Sequence, residues 1–279
     1  MTSSSDPENT PDDSISVHSS IPGVPAFTVQ SYQTKQSKYC ILIPIINEGE
    51  RIHHELERAT NAKIPSFGDI IICDGGPQTD LRKNTFCVNT VSTRFLSKQA
   101  PASRELSCAW DFGGLCKRGY DGFITIDGND KDSIEDVPKF HIQASGRFPT
   151  SFRARVLGGG KAINTPFIRH VAPGIHARPS HFPERGSMVY RYNQRLPGLF
   201  PSLSRAPEVQ PFRDIFQTYE LLAYLSVRAS QLGLKACEIP VTRAYPPKGK
   251  VPTKISFFKG GNFNLFATLV KNLFRKYHP

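Results

Sequence analysis

The sequence is poor in features that would cross-link it or place it in a bilayer. Its six cysteines form no CxxC pair, so a zinc site or a disulfide framework has little support and a reducing compartment is expected. No stretch approaches the 18 apolar residues of a membrane-spanning helix. The first residues lack the basic start and apolar run of a secretory signal. Acidic residues are missing altogether after Glu238, whereas Arg243, Lys248, Lys250, Lys254, Lys259, Lys271, Arg275 and Lys276 follow it. With a net charge of +11, that segment expects an anionic partner such as phosphate groups or a membrane surface. No RNA- or DNA-binding signature accompanies the charge, which argues against a nucleic acid.

What is present suits a globular α/β chain. In 279 residues, 38% are hydrophobic and nineteen are Phe, enough for a real core. Residues 1–37 are rich in Ser, Pro, Thr and Asp and read as a disordered tail. Residues 39–43 (YCILI) form a first buried strand that Pro44 should end, because proline cannot donate to a ladder. A helix should follow to about residue 62, capped by Asn47, with Glu48 and Glu50 in its first turn. Residues 69–73 (DIIIC) form a second strand, ending in Asp74 and then Gly75 and Gly76, which let a ligand approach the backbone.

A weaker strand is expected near 90–96 and a helix over 103–118. A wholly apolar strand follows at 123–126, ending in the carboxylates of DGNDKD (127–132), with another helix from Ser133. The order β-α-β-(β)-α-β-α implies a mostly parallel, doubly wound sheet with flanking helices. Ligands bind at the C-terminal strand ends of such sheets, and clustered oxygen ligands suit Mg²⁺ or Mn²⁺ holding a phosphate.

The second half is less regular. Residues 143–213 are proline-punctuated and carry His170, His176 and His181 without metal-ligand spacing. The segment 214–233 is the clearest helix, with Asp214 and Gln217 as a capping box and Gly233 as its stop. Glu220 within it is either paired or functional. A strand over 234–243 leads into the basic loop of Arg243, Lys248 and Lys250. Residues 263–274 repeat apolar positions at helical spacing, as a core-packing or interfacial helix would.

The stretches IPIINEGER (43–51), ICDGG (72–76), GYDGFITIDGNDKD (119–132) and YELLAYLSVRA (219–229) resemble a family 2 glycosyltransferase of the GT-A fold. The resemblance is to the dolichol-phosphate mannosyltransferase-like (polyprenyl-phosphate glycosyltransferase) branch and covers roughly 38–142 and 212–279. It implies a tail over 1–37 and one domain over 38–279, with a nucleotide-sugar half (38–142) and an acceptor half (143–279). By the same resemblance Pro44, Asn47, Glu48, Asp74, Gly75 and Asp127 hold the nucleotide sugar, of GDP-mannose or UDP-glucose type. Asp127 and Asn129 take the place of the metal-binding DxD for Mg²⁺ or Mn²⁺, with Asp130 or Asp132 as further donors. Arg243, Lys248 and Lys250 meet the donor and acceptor phosphates, the acceptor being a polyprenyl phosphate at the cytoplasmic membrane face.

Asp127 and Glu220 are the candidate catalytic residues of this inverting transfer. Two departures keep alternatives open. Pro77-Gln78-Thr79 replaces the usual Ser/Thr-rich run, and ERGSMVYRY (184–192) matches the branch's acceptor motif poorly. One alternative is a non-catalytic nucleotide-sugar-binding protein. The other is a transferase acting on a saccharide or small molecule, with Glu184 or Glu220 as base.

Overall fold

The computed structural model describes residues 15–17, 27–31, 33–75, 94–98, 120, 122–140, 151–155, 160–164, 188–191, 209–210, 224, 228, 231 and 236–245. Its centre is built from β3 (Tyr39–Ile45), β4 (Asp69–Asp74), β5 (Arg94–Lys98) and β6 (Gly122–Thr125), following β1 (Ile15–Val17) and β2 (Phe27–Ser31). Then come β7 (Ser151–Arg155), β8 (Lys161–Ile163), β9 (Met188–Arg191), β10 (Ala236–Pro240) and β11 (Thr242–Ala244). A nine-stranded sheet runs β1-β2-β5-β4-β3-β6-β9-β7-β10, and β11 pairs with β8 in a separate two-stranded sheet.

The strands β5, β4, β3 and β6 are mutually parallel, the doubly wound core that the sequence implies. Antiparallel pairs flank it, β1–β2–β5 on one side and β6–β9–β7 on the other. Two corrections follow. Residues 1–37 are not all tail, because β1 and β2 extend the sheet and Phe27 and Val29 are buried against Cys40, Leu42, Ile71 and Cys73. Alternate apolar residues in a short run suffice to make a strand when a sheet face is available. The proline-punctuated stretch 143–213 likewise contributes β7, β8 and β9.

Burial follows the period of two. Ile41, Ile43, Ile45, Ile70, Ile72, Ile124 and Ile126 cover one sheet face, against Ile52, Leu56 and Ala59 of the helix α1 (Glu50–Asn61). Cys40 and Cys73 are buried on the opposite face. Each fully buried Ile contributes about 1.5–3 kcal/mol, which concentrates stability under the strand ends.

The first strand outruns its proline. β3 continues to Ile45, with Pro44 opposite Cys73 and Ile45 opposite Asp74. The missing N–H falls on the β6 side, where the ladder has ended at Leu42–Thr125 and only the Pro44 carbonyl is used, by the Gly128 N–H at 3.3 Å. Pro44 therefore ends pairing on one side only. The helix start also differs. Asn47 has φ +51° and lies in a bend, Gly49 at φ +60° is the N-cap without a side-chain bond, and Glu50 is in the first turn.

Asp69 opens β4 and anchors the approach to β3. Its carboxylate accepts the Gln36 and Ser37 N–H groups, at 3.1 and 3.0 Å, and the Tyr120 hydroxyl at 2.8 Å. After β6, Ile134–Asp136 form a tight turn and 137–140 are helical, with Val137 and Phe140 buried, close to the helix expected from Ser133. Tyr224, Arg228 and Gln231 are helical within the segment expected at 214–233, and the Tyr224 hydroxyl donates to the Val209 carbonyl at 2.7 Å. The helices expected at 103–118 and 263–274 lie outside the described residues. Among the described residues, no helix is long and apolar enough to cross a membrane.

Candidate functional site

Three strand ends meet at one place. Beyond the ladders, the Gly75 N–H donates to the Ile45 carbonyl at 3.0 Å, the Ile126 N–H to Leu42 at 2.9 Å and the Gly128 N–H to Pro44 at 3.3 Å. These bonds bring Pro44, Asp74–Gly75 and Asp127–Gly128 to the C-terminal end of β3, as the sequence implied. Asn47 is exposed just beyond, and Glu48 is buried, its carboxylate bound by Arg51 Nη2 at 2.9 Å and Nε at 3.2 Å. Asp74 is buried where β4 ends.

Gly128 is fixed by contact. A Cβ there would lie 2.4 Å from Ile45 Cγ2, 3.1 Å from Ile43 Cγ2 and 3.3 Å from the Pro44 carbonyl oxygen. Gly128→Ala is therefore expected to cost about 1–3 kcal/mol, as overpacking does, and to push the 127–130 turn off β3. Urea denaturation checks the first effect. An unchanged midpoint would mean that β3 yields freely.

Asp127 is exposed, and Asn129 Nδ2 donates to its Oδ2 at 3.3 Å while the Asn129 N–H donates to its carbonyl at 2.8 Å. Asn129 Oδ1 accepts the Lys131 N–H at 3.3 Å. The other two carboxylates of the stretch are engaged elsewhere. Asp130 is bound by Arg58 Nη1 and His54 Nδ1, each at 2.5 Å. Asp132 is held at 2.6 Å by Arg243 Nη1, on the far side of the turn. Asp130 thus has both carboxylate oxygens engaged and Asp132 one of its two.

Arg243 also differs from expectation. It lies in β11 rather than in a solvated loop, is only 6% exposed, and donates through Nε to the Tyr245 hydroxyl at 3.2 Å. Asp132 and Arg243 form an isolated antiparallel bridge, and the Ala244 N–H donates to the Lys131 carbonyl at 2.9 Å. The Thr242 N–H is taken by Asp136 Oδ2 at 2.6 Å. Lys131 is buried with its ammonium 5.9 Å from the Tyr245 ring centre. Arg243 thus binds the turn to β11. Glu220, Lys248, Lys250 and Glu184 lie outside the described residues, as do Pro77, Gln78 and Thr79.

Burial pushes the Asp132 carboxyl up to about 6, with the Asp127 charge adding to it and Arg243 opposing. At neutral pH the group is mostly ionised and the pair with Arg243 stands. Because the folded carboxyl binds its proton more tightly than the unfolded one, stability from this group is full near pH 4 and is lost as pH rises through about 6. Against Asp132→Asn, the wild type is expected to lose about 2 kcal/mol more between about pH 4.5 and about pH 7.5 in denaturant titrations. Parallel pH dependences would contradict this.

Two residues here escaped sequence reasoning. Glu55 lies on the apolar stripe of α1 and is fully buried; burial first, then the charges of Asp132, Asp130 and Asp127, raises it well above the usual carboxylate range. Its Oε2 accepts the Asp130 N–H at 3.2 Å, while Oε1 and Asp132 Oδ2 have no partner among the described residues. A carboxylate at i+3 from Ile52, amid Leu56 and Ala59, was the available signal. Arg58 forks onto Glu135 at 2.7 and 2.5 Å; against burial, this fork and the Ser133 hydroxyl hold Glu135 down to about 2.

No three His, Cys, Asp or Glu side chains gather as a metal cage among the described residues. One exposed carboxylate beside a neutral amide fits instead a hard divalent ion that takes its remaining ligands from water and a bound diphosphate, the usual habit of Mg²⁺.

No protein-family model matches the sequence, nor does any curated protein. Solved structures do match. Glucosyl-3-phosphoglycerate synthase from Mycobacterium tuberculosis, in complex with Mn²⁺, UDP and glucosyl-3-phosphoglycerate, aligns with a TM-score of 0.53 at 12% identity, covering 86% of this chain and 80% of that one. Residues 1–349 of S. aureus TarS, in complex with UDP-GlcNAc, align with a TM-score of 0.52 at 10% identity, covering 85% of this chain and 66% of that one. At such identities the likeness speaks for architecture, and the parallel core with its converging strand ends agrees with it. The chain has the GT-A fold of nucleotide-diphospho-sugar transferases.

Proposed function

We propose that the protein is an inverting, metal-dependent glycosyltransferase that moves a hexose from a nucleotide sugar to a phosphate-bearing acceptor, a polyprenyl phosphate at the cytoplasmic membrane face. One observation carries this reading: the exposed Asp127 stands where the ends of β3, β4 and β6 are laced together, the ligand position of open α/β sheets. The loops of Asn47–Glu48 and Asp74–Gly75 would receive the nucleotide. Asp127, with Asn129 beside it, would hold Mg²⁺ or Mn²⁺, which when bound offsets diphosphate charge and favours its departure. Mn²⁺ and UDP accompany the mycobacterial synthase, in agreement with this assignment.

The acceptor assignment rests on charge and reach. Ala244 is bonded to Lys131, so Lys248 begins four residues from the turn, within about 14 Å of chain. Lys248 and Lys250 would offset the acceptor phosphate. A phosphate oxygen attacks the anomeric carbon as that carbon's bond to the diphosphate breaks, the bonding pair leaving with the nucleoside diphosphate. The attacking group is already anionic, so positioning and charge stabilisation suffice without a strong base. A phosphorylated small molecule shares this chemistry, and phosphoglycerate derivatives occupy the mycobacterial synthase.

The test incubates the full chain with UDP-glucose or GDP-mannose and Mn²⁺, together with polyprenyl phosphate in vesicles or a soluble phosphomonoester. Metal-dependent glycosylation of the lipid is the expected result. Transfer only to the soluble ester would replace the acceptor, and no turnover with either would overturn the enzymatic reading. The engagement of Asp130 and Asp132 favours a second reading, a non-catalytic nucleotide-sugar binder with Asp127 as the one exposed carboxylate of the 127–132 turn. It predicts nucleotide binding that survives without turnover.

A further inference from the structure

Among the described residues Asp130 is one of five non-glycine residues in the left-handed region, at φ +58°. Such a conformation costs roughly 1–2 kcal/mol and persists only where its surroundings over-determine it. Here α1 supplies those surroundings. Glu55 Oε2 takes the Asp130 N–H, and Arg58 grips the Asp130 carboxylate with Nη1 while its Nε and Nη2 fork onto Glu135. The two acids flank the 131–134 segment, so one guanidinium spans both sides of it. Glu55 achieves this from a position where an apolar side chain would otherwise complete the stripe of Ile52, Leu56 and Ala59.

We propose that Glu55 and Arg58 are positioning residues that lock the left-handed turn at Asp130 and thereby keep Asp127 and Asn129 side by side for a metal–diphosphate. The proposal rests on the functional reading above. Neither residue touches the ligand; they act through Asp130. Glutamine at 55 retains an acceptor for the Asp130 N–H, whereas alanine does not. Lysine at 58 keeps the charge but cannot reproduce the fork.

Calorimetric titration of UDP and of GDP into the full chain, with and without Mn²⁺, tests it, each variant's melting temperature being recorded. In Glu55→Ala and Arg58→Lys, the Mn²⁺-dependent gain in affinity is expected to fall by about 10-fold or more, the scale of lost outer-shell support, with metal-free affinity unchanged. Glu55→Gln should keep the gain within about 2-fold. A full gain in Glu55→Ala overturns the proposal. An equal loss in Glu55→Gln and Glu55→Ala does so too, because the carboxylate charge would then be acting directly. Should Glu55→Ala not fold, a full gain in Arg58→Lys overturns the proposal and a lost gain upholds it. A wild type with no Mn²⁺-dependent gain overturns the functional reading and this proposal together, whereas an intact wild type with indifferent variants overturns this proposal alone.

Discussion

Asp127→Ala is expected to abolish Mn²⁺-dependent nucleotide binding and to lower transfer by about 10³-fold or more, the several kcal/mol that a charge-stabilising ion supplies. It should do so without unfolding the chain. Asp127 is exposed, and among the described residues its one side-chain hydrogen bond is that from Asn129 at 3.3 Å. Its charge raises the carboxyls of the buried Asp132 and Glu55, so removing it relieves repulsion under the turn. The melting temperature is therefore expected to hold or rise. A variant that keeps metal-dependent binding would remove Asp127 from the site, and one that unfolds would make it a structural residue.

Arg243→Ala is expected to produce the largest loss of stability, about 3–5 kcal/mol, because it strands the buried Asp132 carboxylate without its cation. Against a total of about 5–15 kcal/mol for a typical protein, that is enough to leave a sizeable unfolded fraction at physiological temperature. Lysine should rescue poorly, since one ammonium must replace separate bonds from Nη1 to Asp132 and from Nε to the Tyr245 hydroxyl. The double change Asp132→Asn with Arg243→Gln removes both charges and should recover most of the loss in urea denaturation. If the single variant melts like the wild type, the pair contributes little and β11 is held by its backbone bonds. If the double variant folds yet loses phosphate affinity, Arg243 contacts the ligand after all.

How much of this was legible in the sequence depended on whether the signal was local. Residues 39–43, 70–73 and 123–126 announced buried parallel strands through runs that are apolar but for Thr125, and each ended in the loop or carboxylate that the fold brings to one edge. Local propensity was less informative where a neighbour decided the outcome. Pro44 looked like a strand end because its missing N–H is visible in the sequence, whereas the side on which it falls is not. Asn47 looked like a cap until Gly49 took that position, since the bend before α1 is set by where β3 stops. The bond between Asp132 and Arg243 joins residues 111 apart and had no local signature. The same holds for Arg58 reaching Asp130 and Glu135 across 72 and 77 residues. Sequence alone therefore placed Asp127 at the strand end but could not show that the charges of Asp130 and Asp132 are spent on holding the turn.

The most direct measurement is binding of a nucleotide-sugar panel, including UDP-glucose and GDP-mannose, to the full chain in Mn²⁺ and again after EDTA. The account predicts that at least one nucleotide sugar binds in Mn²⁺, that EDTA removes that binding, and that Asp127→Ala lacks it from the start. Binding that is indifferent to EDTA and to Asp127→Ala, or no binding by any member of the panel, would contradict a metal–diphosphate site at the end of β6.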